Sequence, residues 1–234
     1  MARSIRFPFS VAIGVATNSF QSGDYVTRFR RLLDVHQAAR LGRGDDGGMF
    51  QVRIHGRGGQ GVVTAAEMLS VAAFREGRHA QAFPSFGSER TGAPVVAYCR
   101  IDDREIRVRE PIMAPDALII QDPTLVHQVD LFAGLKPGGM VILNTARSFA
   151  ALGLADLQEK YRTMTVPASE LARKHVGRPL PNAALLGAFS AFSGQISLHA
   201  VTAAIRDKFA GRIAEGNVAA ASEAFETVRH AETA

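Results

Sequence analysis

A glycine-rich stretch is the part of the sequence whose residue spacing best fits a recognised chemistry. Residues 56–61 read Gly-Arg-Gly-Gly-Gln-Gly and match the pattern G-x-G-x-x-G between a strand-like and a helix-like segment. Glycines at these positions permit a tight turn and leave backbone N–H groups free at the positive end of a helix, where they can bind an anion. The candidate anion-binding residues are therefore Gly56, Arg57, Gly58, Gly59, Gln60 and Gly61.

The same turn does not predict a nicotinamide dinucleotide site. Such a site needs an acidic residue about 20 positions further on, which holds the ribose hydroxyls. Residues 79–84 read His-Ala-Gln-Ala-Phe-Pro and contain no carboxylate. Two interpretations stay open. Either the glycines only let the helix pack closely on the sheet, or Arg57 and the free N–H groups bind a phosphate or another anionic group, with Gln60 as a polar contact.

A second candidate stretch covers residues 83–94, which include two phenylalanines, two glycines and two prolines. This composition suits neither a helix nor a strand and predicts a rigid surface loop. Its aromatic rings and arginine favour contact with a substrate or a partner protein, although Glu89 and Arg90 could equally form a solvated ion pair of little consequence. The candidate interface or substrate residues are Phe83, Pro84, Ser85, Phe86, Glu89 and Arg90.

Other reactive side chains suggest no further site. Cys99 is the only cysteine, so this chain alone builds neither a disulfide nor a four-thiolate iron–sulfur cluster, and its apolar neighbours predict a core position. Of the seven histidines, only His55 lies beside the glycine turn, where we interpret it as a hydrogen-bonded structural residue. The histidines lack metal-ligand spacing, and no metal site is predicted. Ser85 and Ser88 lack the G-x-S-x-G context of a hydrolase.

Composition narrows the class of partner. The net charge of +5 and the pI near 9.9 favour anionic partners in a general way, but the sequence lacks the basic runs with interleaved aromatics that are typical of nucleic-acid binding. No stretch approaches the roughly 18 consecutive apolar residues of a membrane span. The first 20 residues lack a convincing signal-peptide pattern. We therefore expect a cytoplasmic protein that binds neither nucleic acid nor membrane.

Alternating strand and helix patterns from Met49 onward predict an α/β fold with an open, mostly parallel, Rossmann-like sheet flanked by helices. The predicted strands cover residues 50–55, 94–101, 117–121, 140–144 and 163–166, and residues 106–108 are predicted to pair with 94–101 as a hairpin. The predicted helices cover residues 62–76, 123–132, 183–192, 196–209 and 215–230.

A linker is predicted at residues 41–48, which read LGRGDDGG. Before it, residues 25–39 have apolar residues at helical spacing. Residues 1–48 are therefore predicted to be an N-terminal extension, either a partner-binding arm that is partly helical or the product of an early start codon. Residues 49–234 are predicted to form one domain.

Several stretches together resemble the gamma subunit of the 2-oxoacid:ferredoxin oxidoreductases, and the pyruvate enzymes in particular. They are residues 52–77, residues 79–101, the Asp122-Pro123 pair after a buried strand, and residues 181–189, which read PNAALLGAF. They cover nearly all of residues 49–234. The first 48 residues depart from the family pattern.

The resemblance implies an oxidoreductase subunit that is not active alone and works with alpha, beta and delta subunits. In this family the alpha and beta subunits hold thiamine diphosphate and Mg²⁺, the delta subunit carries [4Fe–4S] clusters that pass electrons to ferredoxin, and coenzyme A takes the acyl group. We expect the glycine turn and residues 83–94 to help shape the coenzyme A end of the active site. The alternatives are another 2-oxoacid substrate (branched-chain, 2-oxoglutarate or indolepyruvate) and a non-catalytic nucleotide-binding module.

Overall fold

The computed structural model describes residues 48–85 and 91–233. The predicted N-terminal extension, with its predicted helix at residues 25–39, lies outside the described residues apart from Gly48. Three predicted contact residues, Phe86, Glu89 and Arg90, also lie outside them.

Within the described residues, six strands form one sheet. The strands are β1 Phe50–Arg57, β2 His79–Pro84, β3 Pro94–Asp102, β4 Ala117–Ile120, β5 Met140–Asn144 and β6 Arg162–Val166. Their spatial order is β2-β3-β1-β4-β5-β6. The pairs β1–β4, β4–β5 and β5–β6 are parallel, whereas β3 runs antiparallel to both β1 and β2. The predicted α/β fold with a mostly parallel sheet is confirmed.

The described part of the chain also contains six α-helices and two 3₁₀ turns. The predicted helix over residues 123–132 is instead a 3₁₀ turn at Pro123–His127, while the short helices Asp156–Lys160 and Ala168–Val176 were not predicted. None of the described helices is both long enough and apolar enough to cross a membrane. The helices are α1 Val62–Arg75, α2 Asp156–Lys160, α3 Ala168–Val176, α4 Asn182–Ser193, α5 Leu198–Lys208 and α6 Gly211–Thr233, and the second 3₁₀ turn is Ala150–Leu152.

The predicted hairpin between residues 94–101 and 106–108 is wrong. A strand has two hydrogen-bonding edges, and both edges of β3 are already used, one by β1 and one by β2. Residues 106–108 therefore remain outside the sheet. The Arg100 guanidinium holds this segment instead, by donating to the carbonyl oxygens of Val108 and Glu110.

Two hydrophobic cores lie on opposite faces of the sheet. Strand β4 shows the division, because Ala117 and Ile119 face one core while Leu118 and Ile120 face the other. Helices α1, α4, α5 and α6 contribute to the first core, which also contains Cys99, as its apolar neighbours predicted. The second core is covered by turns and loops rather than by long helices. Its buried members outside the strands are Leu125, Leu131, Leu135 and Phe149.

Candidate functional site

The glycine turn lies at the point where the chain leaves the sheet in two opposite directions. Strands β1 and β4 are parallel neighbours, so their carboxyl ends lie side by side. The chain after β1 enters α1, which packs on the first core, whereas the chain after β4 enters the Pro123–His127 turn, whose Leu125 belongs to the second core. In open α/β sheets, ligands bind in the crevice outside such a switch point.

The turn needs glycine at several positions for different reasons. Gly59 and Gly61 have φ angles of +93° and +75°, which only glycine adopts without strain. Gly56, the penultimate residue of β1, must be small because a Cβ there would lie 2.6 Å from Cγ2 of Val62. Close packing thus accounts for Gly56. It does not account for Gly59, whose added Cβ would meet no described atom within 4 Å.

Unpaired backbone N–H groups collect at the start of α1. The first helical bond in this turn runs from Ala65 N to Gly61 O, so the N–H groups of the first helical turn have no helical acceptor. Gly61 provides no side-chain cap, and the first turn contains no acidic residue. Among the described residues, the N–H groups of Gly59, Gly61, Val62, Val63 and Thr64 make no hydrogen bond.

A cleft of about 410 Å³ opens over these donors. Its wall includes Thr91 and Val95 from the far side. The positive end of α1 therefore faces a cleft that mixes backbone donors with small apolar side chains, which suits an anionic group attached to a less polar body. The residues of the turn and helix that line it are Arg57, Gly58, Gly59, Gly61, Val62, Val63 and Thr64.

Arg57 joins the turn to two other segments. Its Nε donates to Asp122 at 3.1 Å and its Nη1 donates to the carbonyl oxygen of Gly92 at 3.1 Å. Its Nη2 donates to Thr124 Oγ1 and to Gln128 Oε1, both at 2.8 Å. Four of the five guanidinium N–H groups are thus used within the chain. Arg57 borders the cleft, but it offers a bound anion one free donor rather than a two-pronged contact.

Asp122 accepts the hydrogen bonds that organise this corner. The residue is 8% exposed, and its carboxylate accepts from Arg57, from Gln60 Nε2 at 2.9 Å, and from the N–H and hydroxyl of Thr124 at 2.9 and 2.6 Å. Burial alone would raise the pKa of Asp122. The hydrogen bonds from Thr124 and Gln60, together with the charge of Arg57, outweigh burial and hold that pKa below its ordinary value.

The structure brings the two predicted stretches together. Gly58 N donates to Ala93 O at 2.9 Å, and Gly92 N donates to Gly58 O at 3.1 Å. With the bond from Arg57 to Gly92, these contacts fasten the end of the 85–93 loop to the glycine turn. Ser85 is exposed and donates its N–H to Val96 O at 2.8 Å, which closes the other end of the loop.

The predicted loop is shorter than residues 83–94, because both ends belong to strands. Phe83 and Pro84 end β2, and Pro94 begins β3. The Phe83 ring packs on Tyr98 with 5.1 Å between ring centroids, and the Arg100 guanidinium lies 5.1 Å from the Phe83 centroid. This cross-strand contact favours the strand for Phe83. Pro84 is tolerated because β2 is an edge strand, where a missing N–H breaks no ladder.

The geometry also separates this turn from a dinucleotide site. Strand β3 lies between β1 and β2, so the end of β2, where a ribose-binding acid would stand, is two strand spacings, about 10 Å, from the turn. In addition, Arg57, Gln60 and Asp122 fill the space between the ends of β1 and β4 with their own hydrogen bonds.

His55 is held as a neutral acceptor. It is buried, and its Nε2 accepts from Arg53 Nε at 3.0 Å. Burial, and then the charge of Arg53, lowers the pKa of His55 from 6.5 to about 3. The imidazole therefore does not exchange a proton near neutral pH, in agreement with the structural role inferred from the sequence. No group of three or more potential metal ligands comes together within the described part of the chain.

Sequence reasoning missed several residues of the site. Asp122 was noticed only as part of a family-like stretch, and Thr124 and Gln128 were not singled out. A signal for Asp122 was present, because an acid directly after a buried parallel strand lies at the same sheet edge as the glycine turn. Gln121 gave no such signal. It is buried, and neither its amide nitrogen nor its amide oxygen has a hydrogen-bond partner among the described residues.

Several known proteins resemble this chain in sequence and in fold. The family model "Pyruvate ferredoxin/flavodoxin oxidoreductase" matches residues 51–227. The chain is 47% identical over 178 residues to the "Pyruvate/ketoisovalerate oxidoreductases common subunit gamma" of Thermococcus kodakarensis, covering 76% of this chain and 96% of that one. It is 44% identical over 182 residues to the "Pyruvate synthase subunit PorC" of Methanothermobacter marburgensis, covering 78% and 99%. The crystal structure of the pyruvate oxidoreductase subunit PORC of Thermotoga maritima matches with a TM-score of 0.65 and 31% identity, covering 76% and 96%.

Proposed function

This chain belongs to the pyruvate ferredoxin/flavodoxin oxidoreductase family, and from that membership we propose that it is the gamma subunit of a pyruvate:ferredoxin oxidoreductase. In this role it supports the oxidative decarboxylation of pyruvate to acetyl-coenzyme A, with electrons passed to ferredoxin. The similarity to gamma and PorC subunits over almost their full lengths supports the proposal.

The chemistry is divided among the subunits of a cytoplasmic complex. Thiamine diphosphate with Mg²⁺ on the alpha and beta subunits supplies the decarboxylation, and [4Fe–4S] clusters on the delta subunit carry the electrons. This chain contributes the glycine turn and the 85–93 loop, which together form one side of the coenzyme A site and part of the contact with the other subunits.

The observation that carries this role is the group of unpaired N–H donors beside the cleft, which belong to Gly59 and to residues 61–64. The first turn of α1 holds no acidic side chain that would repel an anion there. Coenzyme A carries phosphates, which such donors bind well. The cleft of about 410 Å³ lies toward the small end of the range for ligand pockets. It therefore holds one phosphate-bearing portion of coenzyme A, and the rest extends toward the partner subunits.

A second substrate is favoured by one specific observation. The Thermococcus kodakarensis relative is described as common to pyruvate and ketoisovalerate oxidoreductases. A gamma subunit shared by two enzymes does not choose the 2-oxoacid. The branched-chain acid 2-oxoisovalerate is therefore the alternative substrate, and comparing kcat/KM for pyruvate, 2-oxoisovalerate and 2-oxoglutarate on the purified complex decides between them.

Thr64→Asp tests the coenzyme A role directly. Thr64 is the third residue of α1 and lines the cleft. A carboxylate in the first turn stabilises a helix, by about 0.3–1 kcal/mol, but it repels a phosphate bound there. At a separation of about 5 Å and an effective dielectric constant between that of water and that of a protein surface, the repulsion is about 1–3 kcal/mol. We expect the KM for coenzyme A to rise roughly tenfold to a hundredfold, while the unfolding midpoint does not fall.

The matched control is Thr64→Asn, which has nearly the same shape as the aspartate variant but no charge. It should change the KM for coenzyme A by less than about threefold. An unchanged KM for coenzyme A in the Thr64→Asp complex, with the complex assembled and active, would remove the glycine turn from the coenzyme A site.

A further inference from the structure

We propose that Asp122 is the positioning residue of the glycine turn: its carboxylate dictates how Gln60 and Arg57 are oriented, and thereby keeps the turn in the form that leaves its N–H groups free for an anion. The proposal rests on the proposed function of the turn as one side of the coenzyme A site. Asp122 itself lies outside the residues that line the cleft.

Four donors converge on the Asp122 carboxylate. Oδ2 accepts from Arg57 Nε at 3.1 Å and from Gln60 Nε2 at 2.9 Å. Oδ1 accepts from the N–H and the hydroxyl of Thr124 at 2.9 and 2.6 Å. Such a buried, fully used carboxylate is an acceptor at every position and has no freedom to offer a proton.

Because the Asp122 carboxylate can only accept hydrogen bonds, it fixes the orientation of the Gln60 side-chain amide. The amide must present its NH₂ group to Asp122, which leaves Oε1 to face the turn. Oε1 then accepts the backbone N–H of Arg57 at 2.8 Å, and the backbone N–H of Gln60 in turn donates to Arg57 O at 3.0 Å. These two bonds close residues 57–60 into a hydrogen-bonded turn. The N–H of Gly59, inside the closed turn, is left without a partner among the described residues.

Asparagine cannot replace this carboxylate. If its NH₂ group takes the place of Oδ2, it faces two donors, Arg57 Nε and the Gln60 amide. If it takes the place of Oδ1, it faces the backbone N–H of Thr124. Either orientation sets donor against donor, so at least one bond that holds the turn is lost.

The charge of Asp122 also determines where an anion can bind. Asp122 lies after β4 and pairs with Arg57 at the end of β1, so an internal ion pair already occupies the crevice between these two strands. The Asp122 carboxylate also takes up the donors that a phosphate there would need, which leaves the other side of the turn, where the cleft is lined by α1, Thr91 and Val95.

The test uses the assembled oxidoreductase with Asp122→Asn in this subunit. Breaking one charge-assisted hydrogen bond of the turn should raise the KM for coenzyme A about tenfold. The kcat and the KM for pyruvate should stay within about twofold. Gln60→Met removes the side-chain amide that donates to Asp122, at a partly exposed position and with nearly unchanged size. It should also raise the KM for coenzyme A.

Asp116→Asn is the matched control. Asp116 precedes the same strand at its opposite end, where its carboxylate pairs with Lys136 Nζ at 2.7 Å and accepts the N–H of Gln51 at 2.8 Å. Its replacement removes a comparable ion pair far from the turn, so the KM for coenzyme A should not change.

The outcomes separate the two proposals. If Asp122→Asn changes the KM for coenzyme A no more than Asp116→Asn does, while Thr64→Asp still raises it, Asp122 is not the positioning residue and the coenzyme A role of the turn survives. If Thr64→Asp also has no effect, the proposed function itself fails. A uniform fall in kcat with both KM values unchanged would indicate a merely structural role. Should the Asp122→Asn subunit fail to assemble, Gln60→Met decides, and an unchanged KM for coenzyme A in that variant overturns the proposal.

Discussion

The substitution Gly187→Ala changes folding stability through two opposing effects, helix propensity and overpacking, whose sizes can be compared. Gly187 lies in the middle of α4, and α4 packs against α6 along a seam where Gly187 faces Ala221. A Cβ on Gly187 would lie 2.6 Å from the carbonyl carbon and 2.8 Å from the Cα of Ala221, and closer still to its carbonyl oxygen. These atoms belong to the backbone of α6, so no side-chain rotation relieves the clash.

Helix propensity alone would favour the substitution. Alanine in a helix interior is about 1 kcal/mol more favourable than glycine. Against this, the two helices must separate by about 1 Å to reach ordinary contact distances, and overpacking of this kind costs about 1–3 kcal/mol, to which the lost packing along the seam is added. We expect a net destabilisation of about 2 kcal/mol. In a protein of this size, that lowers the unfolding midpoint by about 4–8 °C.

Calorimetry or circular dichroism on the purified full chain measures the result, and Ala191→Gly is the control. Ala191 lies one turn further along the same helix. The reverse exchange there should lower the midpoint by at least about 2–4 °C through helix propensity, and the half-buried Ala191 methyl, which packs on the first core, adds to the loss. A rise in the midpoint of Gly187→Ala, beside a fall in Ala191→Gly, would show that propensity governs both positions and that the close approach of α4 and α6 is not limiting.

Two further substitutions test the buried environment of His55 and the contacts of Arg100. The pKa of His55 is about 3 in the folded chain, against an ordinary value of 6.5. Below pH 6.5 the unfolded chain therefore binds a proton that the folded chain does not. Folding stability then falls by up to about 1.4 kcal/mol per pH unit until the pH approaches 3. His55→Gln should remove this loss of stability at acid pH, which urea titrations of both proteins from pH 7 to pH 4 would measure. If the stability difference between the two proteins stayed constant over that range, His55 would not have the lowered pKa that its burial causes. Arg100→Met removes the donors to Val108 and Glu110 and should speed trypsin cleavage after Arg107 and Arg109 about tenfold. Arg75→Met, which loses only the exposed pair with Asp207, should leave the cleavage rate unchanged.

Local patterns in the sequence predicted those elements that depend on near neighbours. The glycine turn follows a short strand and precedes a helix, and the structure places it there, ending in α1 at Val62. Met140–Asn144 was predicted with its exact bounds, because an apolar run after a Pro-Gly-Gly turn has few alternatives in a parallel sheet.

Features that depend on residues distant in the sequence could not be predicted from local patterns. Residues 106–108 cannot pair with β3 because β1 and β2 already occupy its two edges, and no local pattern records that. The role of Arg57 depended in the same way on Asp122, Thr124 and Gln128, all more than sixty residues further along the chain. The sequence marked Arg57 as a donor but could not reveal that the chain itself uses most of its hydrogen bonds.

The insertion of β3 between β1 and β2 has a consequence for the order of folding. Strand β1 pairs on one side with β3 and on the other with β4, and both are synthesised after it. During translation, β1 can therefore not acquire either neighbour until the ribosome has made residues well downstream. The glycine turn waits longer still, because Gln128 is the last of the residues that hold Arg57. The glycine turn is thus encoded early in the domain but takes its shape late, and long-range pairing of this kind slows folding.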